Sequence, residues 1–425
     1  MNLSNSSGDA VVVIGAGLAG LNSAWFLRKA GFAVHVVEKR ADAGLETSFA
    51  NAGMMTPSMS EPWNAPGVHW DLLRWLGRKE APMLLRPAAL HHYIGWGLKF
   101  LAHSRPAPHL AAMEANFALS ALSMSAVREL RRECRLDYAL GTRGTIKIYR
   151  DRASFDSARA AAGLLRGKGL AFDVLDATGA VRQEPQLAEI EPLLTGAIHY
   201  PGDETGDAHR YCRELKRELA ARGVSFSFGA GVRRIVVERG AVRAVETGAG
   251  EIATNRVVLA AAARSPELAA PLGVALNIRP VKGYSISAPV PPERRLSMAV
   301  IDDSLHTAAT PLGGILRVAG TAEFAGWDAA LDPDRLENLW RFLKALSPAM
   351  HAAADRASAT SWCGFRPMAA DGRAYIGATP IPGLFVNCGH GHLGWTQSAG
   401  SGQLLAQLIS GETPAIDPAP YSAGR

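Results

Sequence analysis

The chain has 425 residues, 48% hydrophobic and 20% charged, a globular composition that leaves little room for a mostly disordered protein and predicts two or three packed domains. Its net charge of +6 is modest for this length and rests on arginine, since only nine of the 45 basic residues are lysine. No block of five basic residues occurs, which argues against a nucleic-acid partner. The four cysteines, Cys134, Cys212, Cys363 and Cys388, never approach C-x-x-C spacing, which argues against a zinc or iron–sulfur site.

Residues 1–9 carry no apolar run, so no signal peptide is expected, and no stretch reaches eighteen uninterrupted apolar residues, so no membrane-spanning helix is expected. Next comes Ala10-Val11-Val12-Val13-Ile14, a β-branched run ending in glycine that reads as a buried parallel strand. Gly15-Ala16-Gly17-Leu18-Ala19-Gly20 follows, then Leu21, Ala24, Leu27 and Ala30 at helical spacing, and a second strand over residues 33–37. This is a strand, a glycine turn, a helix and a strand, the unit that binds dinucleotides. Gly15 makes the tight turn, Gly17 lets the backbone approach a pyrophosphate, and Gly20 lets the helix sit close on the sheet. The helix N-terminus offers free N–H groups to the phosphates. Glu38, eighteen residues beyond Gly20, can accept from ribose hydroxyls, and its charge disfavours a 2′-phosphate. The unit alone does not separate NAD from FAD.

Beyond Lys39 and Arg40 the chain reads Leu45-Glu46-Thr47-Ser48-Phe49-Ala50-Asn51-Ala52-Gly53-Met54-Met55. Later blocks are Glu61-Pro62-Trp63-Asn64-Ala65-Pro66-Gly67, Asp203-Glu204-Thr205-Gly206-Asp207, Lys282-Gly283-Tyr284-Ser285 and Gly364-Phe365-Arg366-Pro367. The last is Asn387-Cys388-Gly389-His390-Gly391-His392-Leu393-Gly394-Trp395-Thr396. With these blocks in this order across almost the whole chain, the sequence resembles the FAD-dependent D-amino acid oxidase-like superfamily, most closely the bacterial D-amino acid dehydrogenases.

The resemblance implies an α/β fold in which a Rossmann-like FAD-binding domain, built from both termini, is interleaved with a sheet-containing α+β substrate domain. It implies oxidative deamination of D-amino acids to 2-oxo acids and ammonia by hydride transfer from Cα to flavin N5, with electrons passed to a quinone or respiratory acceptor. A secondary-amine or imino-acid dehydrogenase or oxidase, acting on sarcosine, D-proline or hydroxyproline, is the alternative within the class. A noncatalytic flavin-bearing subunit is the alternative outside it.

The residues that the resemblance places at FAD are Gly15, Gly17, Leu18, Ala19, Gly20, Glu38, Lys39, Arg40, Glu46, Thr47, Ser48, Asn51, Ala52 and Gly53. Val232, Ala260, Arg366, Gly389, His390, Gly391, His392, Leu393, Gly394, Trp395 and Thr396 complete the set. A helix starting near Thr396 would point its dipole at the flavin N1/C2=O edge. In Gly-Phe-Arg-Pro, Arg366 offers the two parallel N–H donors that suit a carboxylate. The resemblance assigns it the substrate's α-carboxylate and the main catalytic role, through orientation. Tyr284 is a candidate for contacting that carboxylate or covering the pocket, Met54 and Met55 for lining the substrate side, and His392 for bordering the cavity. No side-chain base is required where the neutral amine reacts, and no metal is expected at His390 and His392. Ala262 stands where the family commonly has glycine, which is tolerable where φ is negative.

The FAD-binding domain is expected over residues 1–60, 195–275 and 361–425, and the substrate domain over 61–194 and 276–360. Residues 232–254 alternate apolar and polar around glycine turns and read as β-meander hairpins. Residues 63–101 hold four of the nine tryptophans, with Leu72, Leu73, Trp75 and Leu76 beside Arg74, Arg78 and Lys79. This mixture suits an interfacial helix on an anionic membrane, and a buried helical pair reads the same. The expected location is the cytoplasm, with peripheral contact to the inner face of the cytoplasmic membrane as the variant.

Overall fold

The computed structural model describes residues 10–75, 81 and 83–425. Its first sheet forms around Ala10–Ile14, whose β-branched side chains are buried on both faces, as a central parallel strand requires. Ala33–Val37 and Val257–Leu259 flank it in parallel, with Val12 opposite both His35 and Val257. Leu384–Cys388 and Ser225–Ser227 extend the parallel set on either side, and Tyr375–Ala378 closes one edge antiparallel. The sheet therefore joins strands from the start, middle and end of the chain. The helix Ser398–Ser410 packs through glycine on Leu18–Lys29 and on a third helix that holds Leu119: a β-carbon on Gly402 would stand 2.7 Å from the Asn22 carbonyl carbon, and one on Gly400 2.7 Å from Leu119 O.

Leu119 belongs to Pro106–Glu133, the one helix among the described residues long and apolar enough to cross a membrane. Of its most apolar window 61% is buried inside the protein, the mark of a core helix. It packs on the nucleotide side through Leu119, Val127 and Leu130 and on the other side through Met113 and Phe117.

The expected meander is present as Val232–Glu238, Ala241–Thr247 and Gly250–Ala253, paired antiparallel. Its first turn places Arg239 at φ 52° and Gly240 at φ 81°, the left-handed pair that a two-residue hairpin demands.

The second sheet has nine strands. Its path runs Thr360–Ala369, Ile278–Pro289, Ile315–Phe324, Thr307–Leu312, Ala299–Asp302, Thr145–Tyr149, Gly196–Tyr200 and Asp173–Leu175, with Met83–Leu85 beside Ile315–Phe324. Gly196–Tyr200 and Thr360–Ala369, which the sequence reading placed in the nucleotide unit, pair here instead. Apolar periodicity marks a strand but carries no record of which sheet receives it. The helix Pro333–Leu346 covers the outer face, packing Leu339 and Leu343 on Tyr284, Ile286 and Val318.

The tryptophan-rich segment divides between its two readings. Tyr93, Trp96 and Phe100 are buried against Phe324 and Met368, and the Trp96 indole N–H donates to Met368 O at 3.0 Å. Ile94, Leu98 and Leu101, on the other face of the helix Ile94–Ala102, are exposed, as is Trp70. Leu76, Arg78 and Lys79 lie outside the described residues.

Candidate active site

The glycine turn is built as its spacing predicts. Gly15 sits at φ 109°, and a β-carbon there would meet Ala260 O at 2.6 Å. One on Gly20 would fall 1.8 Å from Gly15 O, so helix and turn touch backbone to backbone. Gly17 caps the helix without a side chain, and the Leu18 N–H is met at 3.3 Å by Ser48 Oγ. Glu38 is buried and accepts from the Ala16 N–H at 2.8 Å and the Arg40 N–H at 2.9 Å, so its carboxylate fixes the turn itself. Behind the turn, Glu46 pairs with Lys39 at 3.0 Å and with Arg40.

The loop that follows is stapled to the large sheet. Thr47 Oγ1 donates to Phe365 O at 2.8 Å, Ser285 Oγ to Ala50 O at 2.8 Å, and Thr310 Oγ1 to Ala52 O at 2.7 Å. Asn51 Oδ1 accepts from the Gly53 N–H at 3.0 Å.

Between the two sheets lies a cavity of about 540 Å³. It brings together Gly17, Leu18, Ala19, Thr47, Ser48, Asn51, Ala52, Gly53, Met54, Ala260, Arg366, His390, Gly391, His392, Gly394 and Trp395. Gly15, Gly20, Glu38, Lys39, Arg40, Glu46, Gly389, Leu393 and Thr396 stand outside this lining, Val232 begins the meander, and Met55 is buried. The C-terminal helix starts at Ser398, two residues later than expected, after a tight turn in which the Ser398 N–H donates to Trp395 O; Thr396 Oγ1 accepts from the Thr56 N–H at 2.9 Å. Ala262 lines the cavity at φ 50°, so the negative φ that would make its β-carbon harmless is not what the backbone adopts.

Several polar atoms on the cavity wall are buried without a partner among the described residues: His390 Nε2, Trp395 Nε1 and Asn387 Oδ1. Burial lowers both His390 and His392 to about 4, so each is neutral at pH 7. His392 Nε2 lies 3.0 Å from Met59 O, the geometry of a donor, and its ring stacks on Trp63 at 5.6 Å.

Arg366 stands apart from Lys39 and Arg40, which both pair with Glu46. It has no carboxylate partner among the described residues, and burial alone lowers its pKa to about 10. The residue as a whole is partly exposed, and it lines the cavity. Nη1 donates to Thr321 O at 3.0 Å, and the guanidinium lies 5.5 Å from the Trp63 ring. Thr321 holds that carbonyl at φ 59°, a strained conformation for a β-branched residue. A charge buried without a counter-ion is costly unless a ligand supplies one.

Tyr284 requires a correction. Its side chain packs with Ile286 and Leu339 in the outer core, and its hydroxyl hydrogen-bonds Glu323 Oε2 at 2.5 Å. Glu323 is fully buried and also pairs with Arg86. The phenolic proton is therefore committed, and Tyr284 borders the cavity without offering a donor to a substrate carboxylate. Period-two alternation explains the outcome: Gly283 and Ser285 face the loop at residues 46–53, so Tyr284 faces away. Sequence reasoning also missed Trp63, Thr321 and Gly283 as elements of the arginine site, since their roles exist only across the sheet.

Residues 10–408 match the family described as DAO, FAD dependent oxidoreductase. The chain belongs to this family. The DAO-family chain is 40% identical to a D-amino acid dehydrogenase of Methylobacterium nodulans, over 96% of each sequence. It is 39% identical to a D-amino acid dehydrogenase of Agrobacterium fabrum, over 96% of this chain and 97% of that one. Among solved structures, glycine oxidase from Geobacillus kaustophilus superposes with a TM-score of 0.77 at 25% identity, covering 98% and 99% of the two chains. L-proline dehydrogenase from P. horikoshii shares the fold, with a TM-score of 0.78 at 18% identity and coverage of 99% and 98%. The protein is an FAD-dependent oxidoreductase of mixed α/β architecture. The glycine turn that any β-carbon would fill and the orphaned polar atoms at His390, Trp395 and Asn387 fit FAD.

Proposed function

We propose that this oxidoreductase dehydrogenates D-amino acids, giving an imine that water hydrolyses to a 2-oxo acid and ammonia. The observation that carries the reading is Arg366, a desolvated guanidinium with no carboxylate partner among the described residues, in the cavity that the nucleotide turn opens into. The substrate's α-carboxylate supplies the missing charge and is held by two parallel donors, which fixes the face of Cα that reacts. When bound, FAD would take up the hydride from Cα–H while the Cα–N bond becomes double and the N–H proton passes to water. His392, neutral and tied to Met59 O, and Met54 shape the wall beside the bound amine. Ser48 and the loop at residues 46–53 would hold the pyrophosphate and ribityl portions, with Glu38 behind the turn, already bonded to the Ala16 and Arg40 N–H groups, nearest the ribose.

Anaerobic mixing with a panel of D-amino acids tests this: bleaching of the flavin is expected with at least one, and none with any amine or imino acid would point to a noncatalytic subunit. Arg366→Ala is expected to lose substrate affinity while keeping FAD, and unchanged affinity would remove the carboxylate assignment. Slow recovery of colour in air is expected of a dehydrogenase, and rapid recovery would make it an oxidase.

The same reading assigns the electrons to a quinone or respiratory acceptor and the protein to the inner face of the cytoplasmic membrane. The support is the exposed stripe of Ile94, Leu98 and Leu101, with Trp70 also exposed and Lys99 and Arg105 among the exposed residues nearby in sequence. Co-sedimentation with anionic vesicles, lost in Leu98→Glu, is the expected result.

A further inference from the structure

The cavity does not end at Arg366. Trp63 lies 5.5 Å from the guanidinium and stacks on His392, and His392 in turn is within electrostatic reach of both Arg366 and Glu61. Around Glu61 the same cavity is lined by a second group of neighbours, Met113, Lys147, Tyr149, Leu165 and Asp303, which forms its far compartment. The charges in this far compartment do not cancel. Lys147 Nζ is already neutralised by Asp303 at 2.6 Å, and the neighbouring Asp302 by Arg150 at 2.9 Å. Glu61 has a histidine as its only hydrogen-bonded partner among the described residues, with Oε1 3.3 Å from His109 Nε2; Lys147, already paired with Asp303, acts on it only at longer range, and the Glu61 side chain is about half exposed. The Tyr149 hydroxyl, on a residue only 1% exposed, is buried and has no partner among the described residues. An unpaired buried hydroxyl costs about 1–3 kcal/mol and calls for an explanation.

We propose that this far compartment receives a positively charged substrate side chain, so that the preferred substrates are basic amino acids bearing an ammonium or guanidinium group. The proposal rests on the amino-acid reading above and adds the class of side chain. The two ends of the cavity are opposite in sign: Arg366 takes the α-carboxylate and Glu61 the distal cation. Met113, Leu165 and the Trp63 ring give the methylene chain an apolar path. A guanidinium or ammonium carries several N–H donors and no acceptor, so it can satisfy the Glu61 carboxylate and the Tyr149 oxygen together. An acidic side chain would meet a lysine that is already paired and would be repelled by Glu61.

The test compares flavin reduction in the holoenzyme by D-lysine and by D-norleucine, which has a similar chain without the charge. D-Lysine is expected to exceed D-norleucine at least about tenfold in kcat/KM, and Glu61→Gln to reduce that ratio about tenfold. Tyr149→Phe is expected to reduce it less, through loss of one acceptor. Flavin content reports whether each variant is folded. If Glu61→Gln fails to fold, Asp303→Asn serves: it leaves Lys147 unpaired in the compartment, and the ratio is again expected to fall. Equal use of the two substrates by the wild type, or a ratio unchanged in a folded variant, overturns the proposal while leaving D-amino acid oxidation intact. Absence of reduction by any D-amino acid overturns both.

Discussion

The Arg366 guanidinium lies directly over Gly283: a β-carbon added there would stand 2.2 Å from Nη1 and 2.5 Å from Cζ. The two residues sit on adjacent antiparallel strands, Arg366 opposite Val281 and Gly283 opposite Gly364. Gly364 plays the same part for the Trp362 ring, whose Cη2 would be 2.0 Å from its β-carbon. A pair of glycines thus opens the sheet surface so that two large side chains can lie flat along the cavity.

Gly283→Ala is therefore expected to displace the guanidinium without touching the nucleotide turn. Weakening a buried carboxylate contact by about 2 kcal/mol lowers substrate affinity roughly 30-fold. Titration of the holoenzyme with a carboxylate inhibitor, followed by the flavin spectrum, measures it. Wild-type affinity in this variant would show that Arg366 holds nothing.

Gly20→Ala strikes the other end of the site. Its β-carbon would overlap Gly15 O at 1.8 Å, a backbone atom that cannot rotate away. Purified protein is expected to carry little flavin, which visible absorbance against protein concentration reports, and full occupancy would refute the packing argument.

Ala262 is held at φ 50°, a conformation that costs a residue with a β-carbon about 1–2 kcal/mol. Ala262→Gly is expected to raise the urea midpoint by an amount equivalent to about 1 kcal/mol, part of the relief being offset by the entropy of glycine in the unfolded chain. A lower midpoint would mean that the methyl group packs usefully against the cavity.

Acid should destabilise the protein through its two cavity histidines. His390 and His392 fall to about 4 in the folded chain from 6.5, so between those values the unfolded chain binds protons that the folded one refuses. Stability is then complete above about pH 6.5 and declines towards pH 4, each histidine costing about 1.4 kcal/mol for every whole pH step crossed between the two values. Buried Asp203, raised to about 6 by burial despite its bonds from Ser58 and Thr145, works in the opposite direction over much of this window, one group against two. Urea denaturation across this range is expected to show a shallower acid limb in His392→Gln, and an unaltered slope would place the titration elsewhere.

Local chain chemistry was enough for the strand, glycine turn, helix and strand at residues 10–37 and for the meander, because φ requirements, apolar period and turn chemistry are properties of a few consecutive residues. The loop at residues 46–53 and Arg366 were legible only through the ordered family motifs, since a polar turn or an arginine reads the same on any surface. The folded chain is what sends Gly196–Tyr200 and Thr360–Ala369 into the larger sheet, turns Tyr284 outward to Glu323, and lays Arg366 over Gly283 with no carboxylate partner among the described residues. Those outcomes depend on which strand lies alongside and which charge comes within a few ångströms, and residues far apart in the chain settle both.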